Sequence, residues 1–365
     1  MAKNSFITRS INSIFRKLLA VEENKSLDIG DPRKIIIVRQ HNQLGDLLAG
    51  VSLFRALKET HPECHITLIV SPFNYPGMIK NKYIDRIFVF DKKKIINPIY
   101  FNLFFKLLKE KYDLAIVPVV VSISFTSNLI ARLSNSKIRI GPNSLDGIVN
   151  ESAYFFDRRI TLDWRSQPDS NVYERSLDII RQFGINTKVY NSEVSFDDDD
   201  MKNVQVFLNE NNFANGTKLV GLHVGAGKQP NRWSLNKYTS LINKLNKEFN
   251  TSFYLTGSKA DEEEINFLIK EVDFKIGLFI NRSISEVAAL ISKSNLFITN
   301  DTGIMHVAGA TNTPQISVFG PTNPFNWAPF GTQKYFIRKS ELIEDVAVDD
   351  VFQLCRMILN KEQKL

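Results

Sequence analysis

The sequence predicts an α/β protein built from two doubly wound domains. Short runs of β-branched and aliphatic residues alternate with amphipathic segments, as in βα units wound on a parallel sheet. This alternation occurs twice, on either side of a polar stretch at 190–200. A chain of 365 residues also favours two domains, because single hydrophobic cores stop growing at about 250–300 residues.

The elements of the first half follow from its hydrophobic pattern. Continuous apolar runs indicate buried strands, at Lys34–Val38, His65–Val70, Arg86–Phe90, Leu114–Val121 and Lys137–Ile140. Apolar residues three and four apart indicate helices, at Asp46–Glu59, Phe101–Lys109, Thr126–Leu133 and Val172–Phe183. These elements define an N-terminal domain over residues 31–190.

The second half repeats the design over residues 191–344. Its predicted strands are Leu219–Val224, Ser252–Thr256, Lys275–Phe279, Leu296–Thr299 and Gln315–Phe319. Its predicted helices are Met201–Asn211, Leu235–Phe249, Asp261–Glu271, Ile284–Lys293 and Gly303–Ala310. A last helix, Asp345–Leu359, lies in a closing segment, residues 345–365, which we expect to pack back on the N-terminal domain. Ligands of doubly wound folds bind at the carboxyl ends of the strands, so we expect the site there, in a cleft between the domains.

Four consecutive aspartates, Asp197 to Asp200, open the second domain. They formally contain an Asp-x-Asp metal motif. Acids at the start of a helix are stabilised by the positive end of its dipole, so the pattern favours a solvated cap of the Met201–Asn211 helix. We therefore predict no metal there.

Composition excludes several classes of protein. Hydrophobic residues make up 43% and charged residues 23% of the chain, which is typical of globular domains. No run approaches about 18 apolar residues, and no secretory cleavage site follows an apolar stretch. Cys64 and Cys355 lie far apart without companion ligands, so neither a disulfide framework nor a zinc site is expected. A cytoplasmic location fits best.

The net charge of +7 favours anionic partners. No nucleic-acid-binding module is recognisable, so we expect no nucleic acid partner. Residues 1–30 form a basic N-terminal segment in which Lys3–Leu19 has the spacing of an amphipathic helix, suited either to an anionic membrane or to the protein's own surface. A second basic and aromatic stretch, Lys92–Lys106, favours a core helix preceded by a charged loop.

Polar residues follow the first strand, in the loop from Arg39 through Asn42 and Gly45 to Asp46. Gly45 permits a tight turn, and Asp46 falls at or near the start of a helix, where a carboxylate caps backbone amides. At the carboxyl edge of a sheet, a carboxylate is also placed to accept a proton from a bound hydroxyl. The spacing alone leaves both roles open.

Two loops of the second half suit a diphosphate. After its first strand, Gly225 and Gly227 allow close backbone approach, Lys228 and Arg232 supply cations, and Ser234 can cap the next helix. After a later strand come the residues of the second loop, Asp301, Thr302, Gly303 and His306. Amides at the start of the helix can bind anionic oxygens there, and His306 would point to the same place.

Four segments together resemble one family. Arg39 to Lys58, His223 to Ser234, Thr256 to Glu264 and Asp301 to Pro324 are similar, in this order, to the signatures of glycosyltransferase family 9, the ADP-heptose:lipopolysaccharide heptosyltransferases. The similarity spans the chain from about Lys34 to Pro324. It implies the GT-B architecture, with two Rossmann-like domains facing a central cleft.

The resemblance also implies an activity and its residues. It implies inverting transfer of heptose from ADP-heptose without metal or other cofactor, to a lipopolysaccharide core or related glycolipid at the inner face of the cytoplasmic membrane. Asp46 matches the catalytic aspartate, and the acceptor side would include Arg39, Asn42 and Gly45. The donor side would comprise Gly225, Gly227, Lys228, Arg232, Asp301, Thr302, Gly303 and His306, with Asp261 or Glu263 as an acidic contact.

The match departs from the family at two places. One additional residue lies between Arg39 and Gly45, and Asn231 occupies a position where members often carry lysine. Lys228 or Arg232 would then replace that phosphate contact. Transfer of another nucleotide sugar, or nucleotide or glycolipid binding without catalysis, are the alternatives. A dinucleotide oxidoreductase is disfavoured because no Gly-x-Gly-x-x-Gly turn follows the first strand.

Overall fold

The computed structural model describes residues 14–213 and 216–361. The chain divides into two compact units, Met1–Tyr190 and Asn191–Leu365. Each unit is an α/β layer structure around a predominantly parallel sheet, as the alternating pattern predicts. Within the described residues, no helix combines the length and apolarity needed to cross a bilayer.

The N-terminal unit contains a seven-stranded sheet. Its strands are β1 Lys34–Arg39, β2 His65–Val70, β3 Arg86–Val89, β4 Lys111–Ile116, β5 Asn135–Leu145, β6 Ile148–Val149 and β7 Arg158–Leu162. The order is β3-β2-β1-β4-β5-β6, and β7 pairs with β5 in parallel. Among the described strands of this sheet, β5 and β6 alone pair antiparallel, as a hairpin.

The helices of this unit cover the central strands. They are Leu44–Ala49, Val51–Thr60, Pro98–Lys109, Phe125–Leu133 and Val172–Arg175, with 3-10 turns at Tyr75–Gly77, Lys92–Lys94, Ala153–Phe155 and Arg181–Phe183. One predicted helix, from Asp46 to Glu59, is two helices that meet at Gly50. Glycine is a poor helix former, and Gly50 ends the first helix by donating to Asp46 and Leu47 carbonyls.

The C-terminal unit contains a six-stranded, all-parallel sheet in the order β10-β9-β8-β11-β12-β13. Its strands are β8 Lys218–His223, β9 Thr251–Gly257, β10 Gly277–Ile280, β11 Leu296–Asn300, β12 Gln315–Val318 and β13 Lys334–Ile337. This is the doubly wound order, in which the strand order reverses between the parallel neighbours β8 and β11. The corresponding reversal in the first sheet lies between β1 and β4.

The helices of the C-terminal unit begin with a capped one. They are Asp198–Glu210, Leu235–Glu248, Glu262–Glu271, Ile284–Ser292, Gly303–Gly309, Pro324–Trp327 and Val348–Lys361, with 3-10 turns at Gln229–Asn231, Lys259–Asp261 and Ile343–Asp345. Asp197 accepts from the amides of Asp199 and Asp200, and Asp200 accepts in return from the Asp197 amide. The predicted capping role of this acidic run is confirmed.

The closing helix Val348–Lys361 belongs to the core of the C-terminal unit. Val351, Cys355 and Leu359 are buried there, and the Lys244 ammonium pairs with Asp349. We expected this helix to close on the N-terminal domain. Its apolar face is instead part of the core formed with Leu235–Glu248, which corrects that expectation.

The sequence pattern missed three strands and overextended one helix. The hydrophobic signal of each missed strand is weak: β7 carries charged residues at two of its five positions, β6 has only two residues, and the edge strand β13 has one buried position of four. The predicted helix from Val172 to Phe183 is a helix of four residues followed by turns. The predicted Lys3–Leu19 helix falls largely outside the described residues, of which 14–19 are helical.

Candidate active site

In the N-terminal unit, Asp46 lies directly beyond β1, in the first turn of the helix Leu44–Ala49. Asp46 therefore lies near the start of a helix, as predicted, while Gln43 occupies the cap position without a side-chain capping bond. Asp46 is buried, with only 7% of the residue exposed. A buried carboxylate at this edge of the sheet needs a charged or hydrogen-bonding partner.

Arg39, the last residue of β1, supplies that partner. Its Nη2 lies 3.7 Å from Oδ2 of Asp46, and both side chains are almost fully buried. Burial lowers the pKa of Arg39, while the neighbouring Asp46 acts in the opposite direction. Arginine remains charged in proteins, so the pair places opposite charges next to each other at the carboxyl end of the strand.

His41 extends this cluster and was not singled out from the sequence. Nδ1 of His41 lies 3.2 Å from Nη1 of Arg39, and Nε2 lies 3.3 Å from Oγ of Ser122. Since a guanidinium only donates, Nδ1 accepts and Nε2 carries the hydrogen. Burial, Arg39 and Lys92 lower the pKa of His41 to about 4, so the ring is neutral at neutral pH.

Ser122 links the cluster to an open pocket of about 530 Å³. The loop after β4 and the β5–β6 hairpin form its walls, and most of the lining is apolar, with Val121, Phe125, Leu145 and Ile148 among the residues. The cluster and the pocket therefore share the edge where strand order reverses between β1 and β4, the usual ligand position in such sheets. Asn42 is exposed and Gly45 half-buried on the same loop.

In the C-terminal unit, Asn300 at the end of β11 holds the loop after β8. Its Nδ2 donates to the carbonyl of Val224 at 2.8 Å, and its Oδ1 accepts from the Trp233 amide at 3.2 Å and the Tyr238 hydroxyl at 3.0 Å. Asn300 is fully buried. Both ends of the predicted diphosphate loop are thus fixed by one side chain that sequence reasoning did not select.

The two cations of this loop differ in their surroundings. Arg232 is bound internally, because its Nε donates to the Ala226 carbonyl at 2.8 Å and its Nη1 pairs with Glu264. Lys228 is exposed and acts electrostatically on Asp301. Of the two substitutes expected for a family lysine, Lys228 is the one presented to solvent. Ser234 occupies the cap position of the next helix, but its side chain makes no capping bond.

Asn231, the departure from the family pattern, contacts Asp301 directly. Its Nδ2 donates to Oδ2 of Asp301 at 3.0 Å and to the Asp301 carbonyl at 3.2 Å. Burial raises the pKa of Asp301, while a hydrogen bond with Thr322 and the charge of Lys228 act against this shift. The contact with Asp301 at this position is therefore made by an uncharged amide.

Asp261 packs on the same loop at Gly225. A Cβ at Gly225 would lie 2.0 Å from Oδ1 of Asp261, so only glycine allows this approach. The other carboxylate oxygen accepts from the amide and hydroxyl of Ser258, at 2.8 and 2.9 Å. Glu263 is exposed on the next turn, and Gly227 has open space around it. Of the two predicted acidic contacts, Asp261 is therefore the one at the loop.

The helix Gly303–Gly309 follows Asp301, with Thr302 at its cap position. Thr302 and Gly303 are half-buried and accessible to a ligand, whereas His306 is buried. Burial lowers the pKa of His306 to about 4, which makes it a neutral packing residue. Across the described ranges, no group of three or more His, Cys, Asp or Glu side chains is arranged to hold a metal ion.

Comparison with known proteins agrees with this organisation. The sequence model of glycosyltransferase family 9 (heptosyltransferase) matches residues 101–351. Lipopolysaccharide heptosyltransferase 3 of Escherichia coli is 24% identical over 296 residues, which cover 78% of this chain and 83% of that protein. The matched range of the family begins after Asp46, whereas the loops around Asn231 and Asp301 lie inside it.

Solved structures show the same fold. The glycosyl transferase family 9 protein of Veillonella parvula superposes with a TM-score of 0.78 at 18% identity, over 94% of this chain and 99% of that one. The ADP-heptose lipopolysaccharide heptosyltransferase II of E. coli gives 0.74 at 18% identity, over 90% and 99%. The predicted GT-B fold class is thereby confirmed.

Proposed function

The chain belongs to glycosyltransferase family 9, the heptosyltransferase family, and on that premise we propose that it transfers a heptose from ADP-heptose to a lipopolysaccharide core or related glycolipid. That it is a glycosyltransferase follows from the family. The donor, the inverting course and the residues assigned to it are our proposal.

One observation carries the proposal: the buried carboxylate of Asp46 at the carboxyl end of β1, 3.7 Å from the Arg39 guanidinium. A carboxylate at this position can accept the proton of an acceptor hydroxyl. Arg39 holds it in place from the strand, and the neutral ring of His41 holds Arg39 from the other side. The base is thus fixed before an acceptor binds, which is what efficient proton transfer requires.

The proposed reaction is a single in-line displacement. The acceptor oxygen attacks the anomeric carbon from the face opposite the diphosphate, forming the new glycosidic bond and inverting the configuration. Its proton passes to Asp46 as the bond between the anomeric carbon and the phosphate oxygen breaks. The electron pair of that bond leaves with ADP. General-base assistance of this kind is worth about 10²–10⁴-fold in rate.

The departing diphosphate needs positive charge. Lys228 supplies it from the exposed part of the loop, and the half-buried backbone at Thr302 and Gly303 adds amide donors. Asp261, which lies next to Gly225, is our proposed acidic contact to the rest of the donor. Fixed donors of this kind stabilise developing charge without a metal ion.

The acceptor is proposed to be amphiphilic. The largely apolar pocket beside Ser122 suits a ligand with an apolar part near its reacting hydroxyl. The net charge of +7 favours an anionic glycolipid at the inner face of the cytoplasmic membrane. Residues 14–19 carry exposed Ile14 and Leu18, in agreement with a peripheral position on that membrane.

The test is a donor panel with the full chain and a detergent-dispersed lipopolysaccharide core acceptor. We expect acceptor-dependent release of ADP from ADP-heptose, and NMR of the product should show an inverted anomeric configuration. Preference for a different nucleotide sugar would overturn the assignment of the donor, but the protein would still be a glycosyltransferase. Asn231 favours that alternative, because an uncharged amide stands where members of the family often carry a lysine. Retention of the anomeric configuration would overturn the proposed single displacement with Asp46 as the base.

A further inference from the structure

The helix Pro98–Lys109 leaves much of its apolar surface uncovered. Only Phe104, Leu107 and Leu108 are buried in the core, along one narrow stripe. The large apolar side chains outside that stripe are exposed, at Ile96 (88%), Ile99 (74%), Leu103 (56%), Phe101 (50%) and Phe105 (47%). The sequence favoured a core helix here. The structure shows a surface helix, and several large apolar side chains exposed together usually mark a binding surface.

The exposed residues fall on two flanks of the buried stripe. Phe101 and Phe105 lie on one flank and stack on each other, with ring centroids 6.2 Å apart. Ile99 and Leu103, four residues apart, lie on the other flank, and Ile96 precedes them in the turn before the helix. The second flank is the more exposed, and no ring pairing covers it among the described residues.

Basic residues adjoin this second flank. Lys92, Lys93 and Lys94 form an exposed 3-10 turn immediately before it. Lys106 extends the flank one turn beyond Leu103. The acid at the far end of the helix, Glu110, is engaged by Arg86 at 2.8 Å. We call Lys92, Lys93, Lys94, Ile96, Ile99 and Leu103 the basic–apolar surface.

This surface begins at the edge of the sheet that carries the candidate active site. Phe90, two residues before the lysine turn, accepts a hydrogen bond at its carbonyl from the side chain of Gln40. The charge of Lys92 contributes to the lowered pKa of His41, which lies between Arg39 and Ser122. A partner bound to the lysine turn would therefore be held beside the residues proposed to receive the acceptor.

We propose that the basic–apolar surface docks the protein on an anionic lipid bilayer. Isoleucine and leucine side chains enter the boundary between headgroups and acyl chains, while the lysines bind anionic headgroups, and both terms add to the affinity. The lysines favour a bilayer over a second copy of this chain as the partner, because the positive charges of two such surfaces would repel each other. The proposal names a surface for the membrane location proposed above, and it does not depend on which sugar is transferred.

The test uses the full chain and flotation with vesicles of phosphatidylcholine, alone or with about one quarter phosphatidylglycerol. Two variants remove the two contributions to binding separately. Ile99→Ser with Leu103→Ser removes the apolar contribution, and Lys92→Gln with Lys93→Gln and Lys94→Gln removes the electrostatic one. Matched controls in the C-terminal unit are Val206→Ser with Leu342→Ser, which are 54% and 67% exposed, and Lys247→Gln with Lys270→Gln and Lys293→Gln. The lysine control removes the same net charge elsewhere.

We expect wild type to bind the anionic vesicles and release them at high salt. Each lysine near a membrane contributes about fivefold in affinity, so the triple lysine variant should bind on the order of 100-fold more weakly. The Ile99/Leu103 variant should bind at least about tenfold more weakly. Both controls should bind as wild type does, and all variants should keep the wild-type melting temperature.

Two results would overturn the proposal. If the surface variants and their controls weaken vesicle binding equally, the binding depends on net charge or general hydrophobicity and not on this surface. Unchanged vesicle binding, with a dimer that the Ile99/Leu103 variant converts to monomer in light scattering, would make this surface an interface between copies. Release of ADP from ADP-heptose, measured in detergent without vesicles, reports on the proposed function separately.

Discussion

At the level of single residues, the two cations of the loop after β8 have different roles. One holds the loop together, and the other is available to a ligand. Arg232 ties the Ala226 carbonyl to Glu264, so it acts within the protein. Lys228 is exposed and near Asp301. The sequence offered the two as equivalent because cation spacing in a loop says nothing about which side chain faces inward.

Replacing each cation should therefore have a different result. Lys228→Ala should weaken ADP binding about tenfold and leave the melting temperature unchanged, because one charge-assisted contact is worth roughly 1.5 kcal/mol. Arg232→Ala should lower the free energy of unfolding by about 1–3 kcal/mol, because it leaves the Glu264 carboxylate half-buried without its cation. Isothermal titration with ADP and urea unfolding measure the two effects. A larger loss of stability in Lys228→Ala than in Arg232→Ala would contradict this division.

Asn231 and Asp301 show why the rest of the residue-level site was not predictable. They lie 70 positions apart in sequence and meet only through the folded sheet, where the amide donates to the carboxylate. The same holds for Asn300, which reaches Val224 and Trp233 from another strand. Their loops were predictable, because the carboxyl ends of parallel strands share one edge, but the pairing within that edge was not.

At the scale of elements, the loop after β8 depends on a close approach between backbone and side chain. Gly225 lies under the Asp261 carboxylate, which also accepts two hydrogen bonds from Ser258 and so fixes the 3-10 turn Lys259–Asp261. Both glycines of this loop were expected to admit a ligand. The structure gives Gly225 an internal role, whereas Gly227 has nothing within 4 Å of a Cβ.

Substituting the two glycines by alanine tests this difference within one loop. Gly225→Ala should lower the free energy of unfolding by about 1–3 kcal/mol, because the added methyl group displaces Asp261 from its bonds with Ser258. Gly227→Ala is the matched control and should be neutral or slightly stabilising. Urea unfolding followed by circular dichroism measures both. Equal effects of the two substitutions would show that the contact with Asp261 does not matter.

At the scale of the whole molecule, the repeated βα pattern predicted two doubly wound domains, and the structure has them. Long apolar strands were predictable because buried parallel strands are continuously hydrophobic. Short or charged strands such as β6 and β7 were not predictable, because their own sequences lack a continuous hydrophobic run. Backbone pairing with β5 holds them in the sheet. The domain on which the closing helix packs was also not predictable. An amphipathic pattern indicates which face of a helix is buried, but not which element covers that face.

Stability should depend on pH through buried histidines. Burial holds the pKa of His306 at about 4, against 6.5 in an unfolded chain. Between these values the unfolded state binds the proton and the folded state does not, so this histidine lowers the free energy of unfolding as the pH falls from about 6.5 to 4. His41 acts in the same direction.

The variant His306→Gln isolates that contribution. It cannot titrate, so its urea-unfolding free energy should fall less steeply than that of wild type between pH 6.5 and pH 4. Slopes are compared, because the substitution in a buried site also changes stability at every pH. Parallel curves for the two proteins would show that His306 binds its proton equally in the folded and unfolded states.

We propose that Asp46 is the base of the transfer reaction, and kcat of the Asp46→Asn variant measures that role. Asp46→Glu is the control for folding, because it keeps a carboxylate to pair with Arg39. We predict that Asp46→Asn folds, binds ADP-heptose with wild-type affinity and loses about 10²–10⁴-fold in kcat. A folded Asp46→Asn enzyme that transfers heptose at the wild-type rate would exclude Asp46 as the base.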